Sequence, residues 1–142
     1  MASAIYPLYK EAVLSAAPNS SLNQGDATNG PYCSLIDEGT YTYSTAHQFY
    51  SSAVASAVGT ANGVQLTTPT VAAGTFDAAD ITFTAVTGVS VEALIIYRHN
   101  SGANTTWLLV SLLESDYITG LPVQPNGGDI LITWHASGIF TL

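Results

Sequence analysis

The sequence predicts an all-β fold, a β-sandwich or jelly-roll-like single domain with a short N-terminal helix. Three observations lead there. From residue 63 onward, β-rich runs follow one another, separated by Gly, Asn, Asp and Pro. In Asp80-Ile81-Thr82-Phe83-Thr84-Ala85, apolar and polar residues alternate, as on a strand with one dry face. The chain has 142 residues, enough for one domain, in which roughly 68–70% of the unfolded surface is buried. Residues 1–30 read as an N-terminal helix and linker arm, and residues 31–142 as the β domain.

In chain order, "AIYPLYKEAVLSA" (residues 4–16) places Ile5, Leu8, Tyr9, Ala12, Val13 and Ala16 at helical spacing. Pro7 suits a first turn and Pro18 ends the segment. So short a helix is marginal alone, and its apolar stripe needs a surface to dock on, its own domain or a neighbour. "PNSSLNQGDATNGP" is rich in turn formers and reads as the linker. In "YCSLIDEGTYTYS", Tyr41 and Tyr43 fall on one strand face and Thr40, Thr42 and Ser44 on the other. "STAHQFYSSAV" reads as a helical turn or two. The runs "GVQLTTPTVAAG", "DITFTAV", "SVEALIIYRH", "TTWLLVSLLE" and "DILITWHASGIFTL" are strands. Thr87-Gly88, Asn100-Ser101-Gly102 and Asn126-Gly127-Gly128 supply tight turns, because Gly and Asn tolerate positive φ.

Two strands break the alternation. Ala93 to Tyr97 is apolar on both sides. Trp107, Leu109 and Leu113 face one way in the next run, and Leu108, Val110 and Leu112 the other. One short helix roofs only part of that surface within a single chain, so shelter by sister molecules or a larger shell is expected. Composition agrees. Hydrophobic residues make up 47% and charged residues 8%, against about 25% charged in an average domain. A surface of Thr, Ser, Asn, Gly and Tyr dehydrates at lower cost than one of Lys and Glu, as interface cores require.

The formal net charge is −8, with Lys10 and Arg98 the only strong cations. Nucleic acid is excluded as a partner, since it needs several phosphate-neutralising side chains, and so is a polybasic membrane contact. No run approaches the roughly 18 apolar residues of a membrane span, and no basic region precedes an apolar block at the N-terminus. Asn19-Ser20-Ser21 and Asn104-Thr105-Thr106 match the glycosylation pattern but read as loop residues without a secretion signal. The one cysteine, Cys33, has no internal partner and no flanking cation to activate it, and reads as a small buried hydrophobe.

Catalytic templates find little. Gly-x-Ser-x-Gly is absent, and His47, His99 and His135 sit in no metal-binding spacing. No metal or other cofactor is expected. Asp77 and Asp80 at a strand entry suit turn-capping better than calcium or a glycosidase pair; a hydrolase would need them in one cleft. Asp37-Glu38 precedes Gly39 as a turn. Tyr41 and Tyr43 are possible glycan contacts, since tyrosine rings stack on sugars and also suit protein contacts.

The segments "GTFDAADITFTAVTGVSVEALIIYRHNSG" and "TGLPVQPNGGDILITWHASGIFTL" together resemble a family of small virion proteins of tailed bacteriophages. The resemblance is best over residues 74–142 and touches "STAHQFYSSAV" and "YPLYKEAVL". It implies a non-enzymatic structural protein, made in the host cytoplasm and placed on the capsid outer surface as a decoration or cement protein. A tail or neck component would share these features, and a surface glycan- or receptor-binding module is the alternative from another class. The expected partners are the major capsid protein and the chain itself, as a homotrimer. The contacts are expected at Ile5, Tyr6, Leu8 and Tyr9 of the arm and Trp107, Leu108 and Trp134 of the strands.

Overall fold

Runs of β-branched and aromatic residues form short strands throughout the computed structural model, which describes residues 2–23 and 25–142. In chain order they are β1 (Ala4–Ile5), helix α1 (Pro7–Leu14), β2 (Gly30–Ile36), β3 (Ala57–Val58), β4 (Val64–Gln65), β5 (Thr70–Ala72), β6 (Thr75–Asp77), β7 (Ile81–Phe83), β8 (Ala93–His99), β9 (Leu108–Leu113), β10 (Ile130–Ile132) and β11 (Phe140–Thr141). Single 3-10 turns lie at Tyr50–Ser52, Val54–Ser56 and Asn104–Thr106. The all-β single domain with one short helix is as the sequence predicts, and of the helical turn or two expected in "STAHQFYSSAV" one, Tyr50–Ser52, lies within it, the next starting only at its last residue.

The two-faced runs lie at the centre. β8 pairs antiparallel with β2 from Gly30↔His99 to Ile36↔Ala93, and on its other side with β9. β1 continues beyond β9, while β3 and β4 both pair with β2, making six strands. A register shift falls between Ile96, opposite Ser111, and Tyr97, opposite Leu109, leaving Val110 as the extra residue of a bulge. Two short sheets, β10–β7 and β11–β6–β5, complete the fold.

Both faces of this sheet are dry within one chain. Leu94, Ile95, Ile96, Tyr97, Leu109, Val110 and Leu112 are fully buried, which corrects the expectation that sister molecules shelter the second side. The segment between β2 and β4 supplies one roof. Its Tyr50 lies flat on Tyr97, with ring centroids 3.9 Å apart, and its hydroxyl meets Ser34 Oγ at 2.7 Å. The Tyr97 hydroxyl donates to the Asn62 carbonyl. The chain can pass this close because residue 63 is glycine, where a Cβ would lie 2.1 Å from the Cys33 carbonyl oxygen. On the other face, Leu113 and Ile5 line a crevice with Ile139 and Phe140 beside the three-stranded sheet. Residues 41–44, expected as part of a strand, are unpaired and belong to the roof.

The N-terminal residues are built into the domain rather than held apart as an arm. Ala4 and Ile5 pair with Leu112 and Ser111. Ser3 Oγ donates to Asp116 at 2.6 Å and accepts from the Glu114 N–H at 2.8 Å. The helix begins at Pro7, later than expected, because the residue before a proline favours extended backbone and Tyr6 adopts it (ψ 128°). That leaves residues 4 and 5 free to join the sheet. Of the region read as an arm, Met1 and Gln24 lie outside the described residues.

The helix ends with Ala17 N–H bonded to the Ala12 carbonyl and Ala16 N–H to Val13, a Schellman closure that puts Ala16 at φ 52°. Glycine is the usual occupant, since a Cβ in this left-handed region costs about 1–2 kcal/mol. Replacing Ala16→Gly also adds about 0.4–1 kcal/mol of unfolded-chain freedom. A net gain of about 0.5–1 kcal/mol is expected, read as a higher urea midpoint at unchanged slope. An unchanged or lower midpoint would show that the cap carries no strain.

Candidate functional site

An apolar groove runs between α1 and the β11–β6–β5 sheet. Tyr9 and Val13, one helical turn apart, form one wall with Leu22; Val71, Phe76 and Phe140 form the other, and Leu142 stands at the mouth. The walls are held locally. The Tyr9 hydroxyl donates to the Ser20 carbonyl at 2.9 Å, folding residues 15–22 back along the helix. Phe76 and Phe140 are opposite one another in the ladder, with ring centroids 5.4 Å apart. The groove encloses about 410 Å³, and among the described residues no charged side chain lines it. Two of its apolar lining residues are exposed, Val71 at 51% and Leu142 at 50%; Leu14, at the end of the same helix but outside the groove's lining, is 86% exposed. β5 is an edge strand with all three residues exposed, a backbone row to which another strand can add.

The residues expected to touch partners are mostly placed elsewhere. Tyr6, Tyr9, Trp107, Leu108 and Trp134 are buried in the chain's own core, and only Ile5 and Leu8 are half-buried. Trp107 lies nearly parallel to Tyr97 (9°, 5.7 Å) and donates its indole N–H to the Gly102 carbonyl at 2.9 Å. Trp134 donates its own to the Ala79 carbonyl at 3.0 Å. Leu108 bridges to Phe49, which lies on the edge of β9. The physical reason is that large aromatic and aliphatic groups were needed to fill the two roofs, so they have little surface left to offer. Tyr9 alone of that set reaches the groove.

The proposed glycan contacts fare differently from one another. Tyr41 is buried, its hydroxyl 2.6 Å from that of Tyr6 and 3.0 Å from His47 Nδ1. It therefore offers no open ring to a sugar. Tyr43 is half-buried against Tyr6, with centroids 5.0 Å apart. Burial raises the Tyr6, Tyr41 and Tyr43 hydroxyl pKa values above that of a free tyrosine, the Tyr6–Tyr41 bond adding to the rise at Tyr6.

Asp77 Oδ1 accepts from the adjacent Ala78 N–H and Asp80 Oδ1 from the Trp134 N–H, each at 2.9 Å; Asp80 thus holds backbone beyond β10, distant in sequence, rather than a turn of its own as expected. His47 is on Tyr41, His135 Nδ1 accepts from the Ser137 N–H, and His99 lies between Tyr32 and Trp107. Among the described residues no three His, Cys, Asp or Glu side chains are grouped to hold a metal ion, and no helix is long and apolar enough to cross a membrane. Cys33 is buried, which pushes its thiol pKa up and keeps it protonated.

One acidic corner escaped the sequence reading. Glu38 lies just past β2, Glu92 just before β8 and Glu114 just after β9. The registers Ile36↔Ala93 and Leu94↔Leu113 bring these strand ends together. The Glu38 N–H donates to Glu92 Oε2 at 3.0 Å. Burial first, then a hydrogen bond to the Glu114 carboxylate and its charge, hold the Glu38 carboxyl above its ordinary pKa of 4.5. The fold thus binds this proton more tightly than the unfolded chain does. Its contribution to stability is full below pH 4.5 and is lost as pH rises through the raised folded value. Urea midpoints should therefore fall over that window in the unaltered chain and fall less in Glu38→Gln; parallel pH slopes would show that Glu38 does not carry the effect.

Compared with models of known protein families and with curated proteins, the chain matches none.

Proposed function

We propose that this chain is a structural protein of a tailed-phage virion, a decoration or cement protein on the capsid exterior that bridges neighbouring major capsid subunits. The single observation that carries the reading is the apolar groove beside α1, with the exposed Val71 and Leu142 in its lining. Exposed apolar side chains around an apolar groove are the mark of a protein contact. The low charge of the whole chain supports it, because little desolvation opposes association. So does the resemblance of residues 74–142 to small phage virion proteins. The two-faced strands no longer contribute, since the chain roofs them itself.

On this reading the protein acts without turnover. A shell filled with DNA is pushed outward, and each clamp adds binding free energy that must be lost before the shell opens. A rigid homotrimer strengthens weak individual contacts through effective concentration.

Imaging the purified particle at modest resolution tests the placement: the reading expects density on the capsid lattice, and density on the tail alone favours a tail or neck component. Val71→Asp and Leu142→Asp, both at half-exposed positions, should lower occupancy on purified shells at least tenfold with little change in unfolding midpoint. Undiminished occupancy would remove the groove from the contact. Sedimentation at micromolar concentration should give a trimer, and a strict monomer counts against the rigid clamp.

A further inference from the structure

We propose that His99 is an acid-operated latch on one pole of the molecule, closed while its ring is neutral and released when the ring takes up a proton. The latch is a property of the folded chain and does not rest on the virion role.

The ring is held on both faces. Tyr32 stacks on it at 4.7 Å and 27°, and Trp107 packs against it at 4.1 Å and 44°. Its Nδ1 is buried and meets no hydrogen-bond partner among the described residues. A neutral ring tolerates this in the tautomer with its proton on Nε2, where Nδ1 carries only a lone pair. A protonated ring does not, because a buried N–H without an acceptor costs the full desolvation of that group.

The charges around the ring come from three elements. On β8 itself, Arg98 is 6% exposed and donates to the carbonyl of His99 as well as to that of Ser21, placing a fixed positive charge beside the ring. From the loop before β2, a hydrogen bond between the ring and the Thr28 backbone, and then the Asp26 charge, favour the protonated form. From β2, Tyr32 is held as a neutral phenol, raised by burial and by Asp26. The faces of Tyr32 and Trp107 also attract a cation. Burial and the Arg98 charge outweigh these, and the ring pKa lies below the 6.5 of an ordinary histidine.

The ring touches two connections, and the neighbouring Arg98 makes a third. The Tyr32 hydroxyl donates to the Thr28 carbonyl, tying in the 26–29 loop. The Trp107 indole N–H closes the 100–106 turn on Gly102. Arg98 holds Ser21, and with it the segment that follows α1. Because the closed form binds the proton less well than the open form, stability of this pole is full above pH 6.5 and falls as pH drops toward the depressed value. Each pH unit within that window favours the open form by up to about tenfold.

Hydrogen exchange of the full chain between pH 8 and pH 5 tests this. Protection of the Trp107 indole N–H and of the Gly102 and Thr106 amides, corrected for intrinsic rates, should fall by up to about tenfold per pH unit below 6.5. The Val58 amide, at another edge of the sheet, should keep its protection. His99→Phe preserves the stacked ring without the titrating nitrogen and should abolish the fall. Constant protection in the unaltered chain, or the same fall in His99→Phe, overturns the latch. Should His99→Phe not fold, ring titration in the unaltered chain decides: a His99 midpoint at or above 6.5 overturns the proposal, and one below it with matching loss of indole protection supports it.

Discussion

The ladder β2–β8–β9 is apolar on both faces, and everything else is arranged to roof it twice with one chain of 142 residues. Few charged side chains are available to anchor the roofs. Tyrosine does so instead. Among the described residues, the hydroxyls of Tyr6, Tyr9, Tyr32, Tyr41, Tyr50, Tyr97 and Tyr117 all find hydrogen-bond partners, most of them backbone carbonyls. The ring contributes buried area and the hydroxyl satisfies a carbonyl that the irregular roof would leave without a partner. Desolvation raises the pKa of the most buried phenols, Tyr50 to about 12, so they remain neutral donors at physiological pH. Such anchors are insensitive to salt, unlike surface ion pairs.

Much of this frame was legible in the sequence, because period-two patterning and turn residues are local signals. β8 and β9 lie where the two-sided runs predicted them, and alternation in residues 80–85 matches β7, where Ile81 and Phe83 are buried and Thr82 is exposed. What was illegible depends on partners distant in sequence. β1 is two residues long and exists because β9 offers it an edge; nothing in Ala4-Ile5 alone distinguishes a strand from a helix start. Tyr41 and Tyr43 alternate as strand residues do, yet act as roof. An apolar strand face carries the same residues whether its cover is a neighbouring molecule or a loop of the same chain. That degeneracy is why Trp107, Leu108 and Trp134 read as contacts and are core. The groove was half legible: the stripe of α1 predicted a docking face, but its opposite wall comes from residues 71–76 and 140–142, which only the tertiary fold brings near.

The two poles of the central sheet carry opposite electrostatic problems. At one, Glu38 lies against Glu92 and Glu114, and burial with the Glu114 hydrogen bond and charge raises the Glu38 carboxyl pKa above its ordinary value. At the other, Arg98 is buried beside His99, and a neutral imidazole avoids placing a second positive charge there. The first arrangement is strengthened by acid and the second weakened by it. Stability at mildly acidic pH is then a balance of two terms of opposite sign. Local opening has no such compensation, since each group acts on its own end of the sheet.

On the virion reading, the self-roofed chain meets its partners as a finished body. It does not bear the ordering cost of a segment that folds on binding, and its docking surface changes little in the process. The drawback is area. With the ribbons sealed, the groove, its apolar rim and the β5 edge are what association has to work with, and specific protein interfaces need on the order of 1,000 Å² or more. A single contact of this kind is therefore weak on the virion reading. Multiplying it is the physical remedy: a rigid oligomer seated over several lattice subunits converts each later contact into an intramolecular one. The low charge that leaves the chain without strong anchors of its own suits that reading, since few contacts of such a surface have to strip water from an ion.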